Sequence, residues 1–365
     1  MIFNFTKQDH DKVINLLDAK ELNISSVELY IDYLNNHFND ITKEDIDKLR
    51  KNYSLNEAFY KAFLEVEELD ETNEDFIALN ANSKISKMDA LELRDYLDNP
   101  YLKLIKGISF KEGDWWLTTL EYKPFEGFVY DEIVINNEYF EERTPFGFFE
   151  KGYRYPTILE KDEIWMSLNP HEINTMKEPI KRASNDVLVL GLGLGYFTYM
   201  VSLKKDVRSI TVIEKDKQVI NIFKKVLLPK ISTKNKIRIV EDDCFNYLKI
   251  NHHYDYVFSD IWHNVHDGLP LYLKLKELEK EDTIYNYWIE TSLLAMIRRF
   301  LLTLYEEKVY EKYSDEDYKN AKTENDRIIN KLYFYLKDYQ FASYEEFHEF
   351  LKDDNLRLLA KNLKY

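Results

Sequence analysis

The chain has 365 residues, of which 45% are hydrophobic and 15% aromatic, with only 9 glycines and 8 prolines. That composition excludes disorder as the default state, and the length calls for a principal domain with substantial additions. A net charge of -16 excludes a surface that grips nucleic acid on all sides, and a single cysteine, Cys244, excludes an intrachain disulfide or a thiolate metal cluster.

Residues 1–100 read as a helical N-terminal region. Ser54 with Glu57 and Ser86 with Asp89 are spaced as capping pairs, and Phe59, Phe63, Leu64 and Val66 follow Ser54 at helical spacing. Asn99-Pro100 closes this group. Residues 101–170 change character. Short aromatic-rich runs such as 115–120 and 132–135 are separated by Gly113, Pro124, Gly127 and Pro145, which predicts a small antiparallel β module.

Strands and helices then alternate through 171–282, the pattern of a Rossmann-like doubly wound α/β sheet. Val187 to Leu190 is a fully apolar strand. Strands at 209–214, 236–240 and 256–260 follow, with helices near 196–204, 217–227 and 244–250 between them. Beyond Pro270 the chain returns to helix, expected at 271–280 and then, in a helical C-terminal region 283–365, at about 287–307 and 315–338, with Ser343 and Glu346 opening a last pair. After Asp260 only 284–289 offers a further strand, a poor candidate, so the sheet reads as possibly truncated after its fourth strand.

The stretch from Lys204 to Arg238 is locally basic. It reads as the solvated faces of two helices, with a docking patch for an anionic partner as the alternative. The first residues lack a basic segment followed by an apolar core. The longest apolar run, 293–304, is interrupted by Arg298 and Arg299, so a cytoplasmic protein without a membrane span is expected.

The chemistry concentrates at four strand ends on one edge of the sheet. Gly191, Gly193 and Gly195 follow the first strand, where a sharp turn lets a ligand approach the backbone. Tyr196 stands where a dinucleotide fingerprint wants glycine or alanine. Glu214 ends the second strand, where an acid can accept from both ribose hydroxyls; Asp243 ends the third, where an acid can take the exocyclic amine of adenine. Asp260 ends the fourth. Trp262 is either a platform for a planar or cationic acceptor or a lid residue, and His263 either a base near neutral pH or a loop histidine. Asp260, His263, His266 and Asp267 form a metal set on spacing alone; no metal is expected. Cys244 reads as a small core residue.

This glycine-acid-acid order resembles the class I S-adenosylmethionine-dependent methyltransferases, and within them the spermidine synthases. The resemblance rests on Asp162-Glu163, His171-Glu172 and Pro179 before the first strand, and on Glu214-Lys215-Asp216 with Leu228-Pro229. Asp243-Cys244, Tyr254-Asp255 and Asp260 complete it. It covers roughly residues 101–275 and implies S-adenosyl-L-methionine or its decarboxylated form as cofactor, and possible homo-oligomers. Two departures stand out. Leu194 replaces the aspartate of the family's first turn, and His263 replaces a second acid after the fourth strand. Those acids hold the free ammonium of decarboxylated S-adenosylmethionine, and a cation needs a countercharge in a partly dry site.

The expected function is therefore methyl transfer from S-adenosyl-L-methionine to a small-molecule or protein acceptor, with Asp260 and His263 as catalytic residues and Trp262 binding the acceptor. Gly191, Gly193, Gly195, Glu214, Asp243 and Asp260 are the expected cofactor residues. An aminopropyltransferase is the alternative, and a non-catalytic binding protein of the same fold the second.

Overall fold

Burial of Val187 to Leu190 on both faces places this strand at the centre of a parallel sheet. In this computed structural model, which describes residues 1–250, 253–310, 318 and 322–365, that sheet has five strands. Their spatial order is Ile237–Glu241, Val207–Glu214, Asn185–Leu190, Tyr256–Ser259 and Ile284–Tyr287, all parallel. Leu190 pairs with Ile213 on one side and Ser259 on the other, so the glycine turn, Glu214 and Asp260 emerge side by side at the carboxyl edge. The order reverses beside the central strand, and ligands of such sheets bind at that crevice.

The sheet continues past its fourth strand, and the poor candidate at 284–289 supplies the continuation. Ile284–Tyr287 is a fifth strand, with Ser259 opposite Tyr287. It escapes notice in the sequence because it is an edge strand with exposed Ile284 and polar Asn286 in place of a continuous apolar run. Ile289, in a left-handed conformation, then starts the helix Glu290–Val309. The preceding helix runs Val265–Lys276, earlier than expected, because Asn264 and Asp267 form a capping box and Pro270 is accommodated inside it.

A four-stranded antiparallel sheet precedes this domain, with Tyr153–Glu160 between Glu163–Ser167 and Trp115–Tyr122, and Phe110–Glu112 at the edge. In the helical N-terminal region, Ser54 and Glu57 cap the helix Leu55–Val66 reciprocally, burying Phe59, Phe63 and Leu64. Ser86 and Asp89 do not cap a helix. Met88–Ala90 is a strand paired in parallel with Phe146–Phe148, and Asp89 accepts from the Tyr130 hydroxyl at 2.7 Å. Asn99-Pro100 both ends one helical segment and opens the next, Pro100–Ile105, because proline is tolerated in a first turn.

The two ends of the chain meet. Ile2–Phe3 pairs in parallel with Gln340–Phe341, and Phe3 stacks on Phe341 at 5.4 Å. The helix Glu290–Val309 buries Arg298, whose Nε donates to the Leu351 carbonyl and whose guanidinium meets Asp353. The expected helix at 315–338 is Glu324–Leu336 in its described part; 315–317 and 319–321 lie outside the described residues. Ser343 accepts from the Glu346 amide as expected. Among the described residues, no helix is long and apolar enough to cross a membrane.

Candidate active site at the carboxyl edge of the sheet

The turn after the central strand needs its glycines for different reasons. Gly191 has φ +92, and a Cβ there would stand 2.0 Å from the Asp260 carbonyl oxygen. Gly193 has φ +50 and lies under Met166, whose sulfur accepts from the Leu194 amide at 3.2 Å. Gly195 packs against the Phe223 ring and opens the helix Tyr196–Ser202. Gly191 and Gly193 line a cavity of about 520 Å³; Gly195 is not part of its lining. That volume suits a nucleoside-sized ligand.

Glu214 is buried and holds the turn with both oxygens: Oε2 accepts from the Leu192 amide at 3.0 Å and Oε1 from the Asp216 amide at 2.8 Å. Asp243 caps the helix Cys244–Lys249 through Oδ1, which accepts from the Phe245 and Asn246 amides. Both carboxylates line the cavity. Burial pushes the Cys244 thiol up to about 12, so it stays a small neutral residue.

Asp260 is held by its own amide, which donates to the Leu190 carbonyl at 2.9 Å. Burial, and then the charge of Glu214, push its carboxyl up to about 7. Glu172 faces the same cavity from the short helix Pro170–Thr175, where Asn169 accepts from its amide at 3.1 Å. Its carboxyl lies well above the usual range, through burial and then the charge of Asp260. Among the described residues its Oε2 is sealed from solvent and has no hydrogen-bond partner. Beside it, burial holds His171 down to about 4, so this ring is neutral.

Trp262 is buried, seated on Gly268 and offset against Tyr287 at 6.5 Å between ring centres. It lines the cavity, and its indole nitrogen has no partner among the described residues. His263 stands at the rim, more than half exposed. Its Nδ1 lies 3.1 Å from Asp267, which also accepts from the His263 amide. Asp260, His263, His266 and Asp267 do not converge as a metal set. Among the described residues the group that does bring ligand atoms within 4.8 Å is Asp32, His37 and Glu67, on the N-terminal helices.

The antiparallel sheet contributes Tyr122, Tyr155, Trp165 and Met166 to the cavity wall. Sequence reasoning placed none of these in the site, and Glu172 entered only as part of the family resemblance, not as a site residue. Its local signal, Asn169-Pro170 before His171-Glu172, marks a helix start and says nothing of its meeting Asp260. Leu194 is buried and absent from the cavity lining, and its carbonyl accepts from the Tyr101 hydroxyl. The basic run is partly committed within the chain: Lys204 caps the carbonyls of Ile180, Lys181 and Ala183, and Lys225 pairs with Glu112.

Residues 172–277 match the family model of the Spermine/spermidine synthase domain. The match makes this middle part of the chain spermidine synthase-like. Among solved structures the chain is similar to a spermidine synthase from Thermotoga maritima, at 16% identity and TM-score 0.30, covering 40% of this chain and 58% of that one. A spermidine synthase in complex with the transition state analogue AdoDATO aligns at 15% identity and TM-score 0.30, covering 53% of this chain and 61% of that one. A putative methyltransferase from Thermoplasma acidophilum aligns at 19% identity and TM-score 0.24, covering 31% and 49%. The chain thus spans less than two thirds of each of these. No curated protein matches it by sequence.

Proposed function

We propose that the protein transfers a methyl group from S-adenosyl-L-methionine to a nucleophile bound beside Asp260. The observation that carries this reading is the gathering of Gly191, Gly193, Glu214, Asp243 and Asp260 around one cavity at the topological switch point. The residues present fit such a donor: acids suited to ribose and adenine, aromatic walls, and sealed polar atoms on Glu172 and Trp262 that lack partners among the described residues.

S-Adenosylmethionine supplies an activated carbon on a cationic sulfur. The chain has to hold and align the reactants and exclude water. In this reading the turn at Gly191 and Gly193 presents backbone to the donor, Glu214 takes the ribose hydroxyls and Asp243 the adenine amine. Asp260 orients the nucleophile, Trp262 forms the wall against which it rests, and His263 stands at the mouth. Leu194 sits in the core and His263 faces Asp267, so neither position offers an acid to a bare ammonium. That favours a donor whose own carboxylate offsets its amine.

The domain match over residues 172–277 favours a second reading, aminopropyl transfer from the decarboxylated donor. Calorimetric titration with S-adenosylmethionine, its decarboxylated form and S-adenosylhomocysteine separates the two. Tight binding of the first and third, weakened in Glu214→Gln, supports methyl transfer. Preference for the decarboxylated form supports the second reading, and no binding of any defeats both.

A further inference from the structure

Away from the cavity, the helix Lys7–Asp32 runs on into one π-helical turn, Tyr33–His37. In a regular α-helix residues five apart point about 140° away from each other. A π turn closes i to i+5 instead and lays such residues on one face. Asp32 and His37 therefore share a side, where they meet Glu67 at the end of the helix Leu55–Val66. One ligand atom from each of the three lies within 4.8 Å of the others. Glu67 Oε1 is sealed from solvent and has no hydrogen-bond partner among the described residues, which is costly for a carboxylate. Among the described residues neither Asp32 nor Glu67 pairs with a lysine or arginine. Both helices end here, and apart from His37 neither brings a basic residue to its last turn, although the free carbonyls of a helix C-terminus favour positive charge.

We propose that Asp32, His37 and Glu67 bind one divalent first-row transition ion, with Asp40 as the residue that positions the imidazole. Asp40 Oδ2 lies 2.9 Å from His37 Nδ1, so the ring donates there and turns an unprotonated Nε2 to the metal. The Asn36 amide donates to Asp32 Oδ1 at 2.7 Å and leaves the other oxygen for the ion. Two carboxylates and a neutral imidazole balance the charge of a divalent ion. The imidazole selects zinc-like ions over magnesium and calcium, which take oxygen sets. A tetrahedral ion needs its ligand atoms about 3.3 Å apart, a closure within rotamer reach of the exposed Asp32. Three protein ligands leave a position for water. The ion ties the ends of two helices together over a core in which the rings of Tyr33 and Phe63 pack at 5.0 Å between centres. The site lies outside residues 172–277 and is independent of the donor reading.

The test is calorimetric titration of the full, tag-free and chelator-treated chain with zinc chloride, alongside thermal unfolding with and without zinc. Wild type should bind one zinc ion, unfold at a higher temperature with it, and bind magnesium at least about a hundredfold more weakly. His37→Ala should abolish zinc binding and the thermal shift. Asp32→Asn, at an exposed position, should weaken zinc by about tenfold or more while the zinc-free chain unfolds as wild type does. Asp40→Asn should also weaken zinc by about tenfold and leave the zinc-free unfolding temperature unchanged, which a purely structural role for Asp40 would not produce. His263→Ala, which breaks the exposed pair with Asp267, should leave zinc binding as in wild type. No zinc binding by wild type overturns the proposal without any variant. Zinc binding unchanged in both His37→Ala and Asp32→Asn overturns it as well, as does binding lost in His263→Ala instead, which marks an adventitious ion only. Magnesium bound as tightly as zinc overturns the assignment to a transition ion.

Discussion

A Cβ on Gly191 would lie 2.0 Å from the carbonyl oxygen of Asp260, so the first turn of the sheet and its candidate catalytic acid are packed backbone against backbone. The contact locks two strand ends into one geometry, since the Asp260 amide in turn donates to Leu190. Gly191→Ala must therefore move main chain. It is expected to cost more than about 2 kcal/mol of stability and to abolish donor binding. Gly193→Ala meets only the flexible end of Met166, and should cost about 1–2 kcal/mol. Denaturant unfolding of the two variants checks the order.

Glu214 binds the turn as well as facing the cavity. Glu214→Gln keeps an acceptor for one amide and loses it for the other, so donor affinity should fall by about tenfold or more while the fold survives at a loss of about 1–2 kcal/mol. Calorimetry and thermal unfolding report the two effects separately.

Asp260 gives a pH dependence with a definite sign. Its folded-state affinity for protons is raised, to about 7, so between the unfolded carboxylate range and that value the native state holds more protons. Stability should then fall as pH rises through this window, by up to about 1.4 kcal/mol per pH unit for the group, and level off above it. Glu132, buried and also raised to about 7, adds to the same slope. Asp260→Asn should flatten the slope without removing it, as measured by unfolding at several pH values between about 4.5 and 8.

His263 is exposed and tied to Asp267. His263→Ala should leave stability within about 0.5 kcal/mol, as for other surface changes. If the methyl-transfer reading holds, it should lower turnover far less than Asp260→Asn, as a methyl-transfer assay of the two variants would show.

Arg298 tests the C-terminal packing. It is almost fully buried, and Asp353 is the carboxylate it reaches. Asp353→Ala leaves a buried cation and should cost about 3 kcal/mol, whereas Arg298→Met removes the charge with most of the volume and should cost less.

Local signals in the sequence carried much of this molecule. The apolar run 187–190, the glycines after it and the acids at 214, 243 and 260 each announce a strand end through residue type and spacing, and the Ser54–Glu57 cap lies within one helical turn. Other features depend on residues far apart in the chain. Met88–Ala90 looks like part of a capped helix until Phe146–Phe148 offers it a partner strand. Ile284–Tyr287 gains strand character only from pairing beside Tyr256–Ser259. The orientation of His263 toward Asp267, and of Leu194 into the core, is likewise set by packing. Glu172 is the sharpest case: its neighbours in sequence mark a helix start, and only the folded chain brings its carboxyl beside that of Asp260. Periodicity and capping act within a few residues and are legible in sequence. Burial and the proton affinity of a carboxyl depend on what the fold places around it, and that was decided by tertiary structure alone.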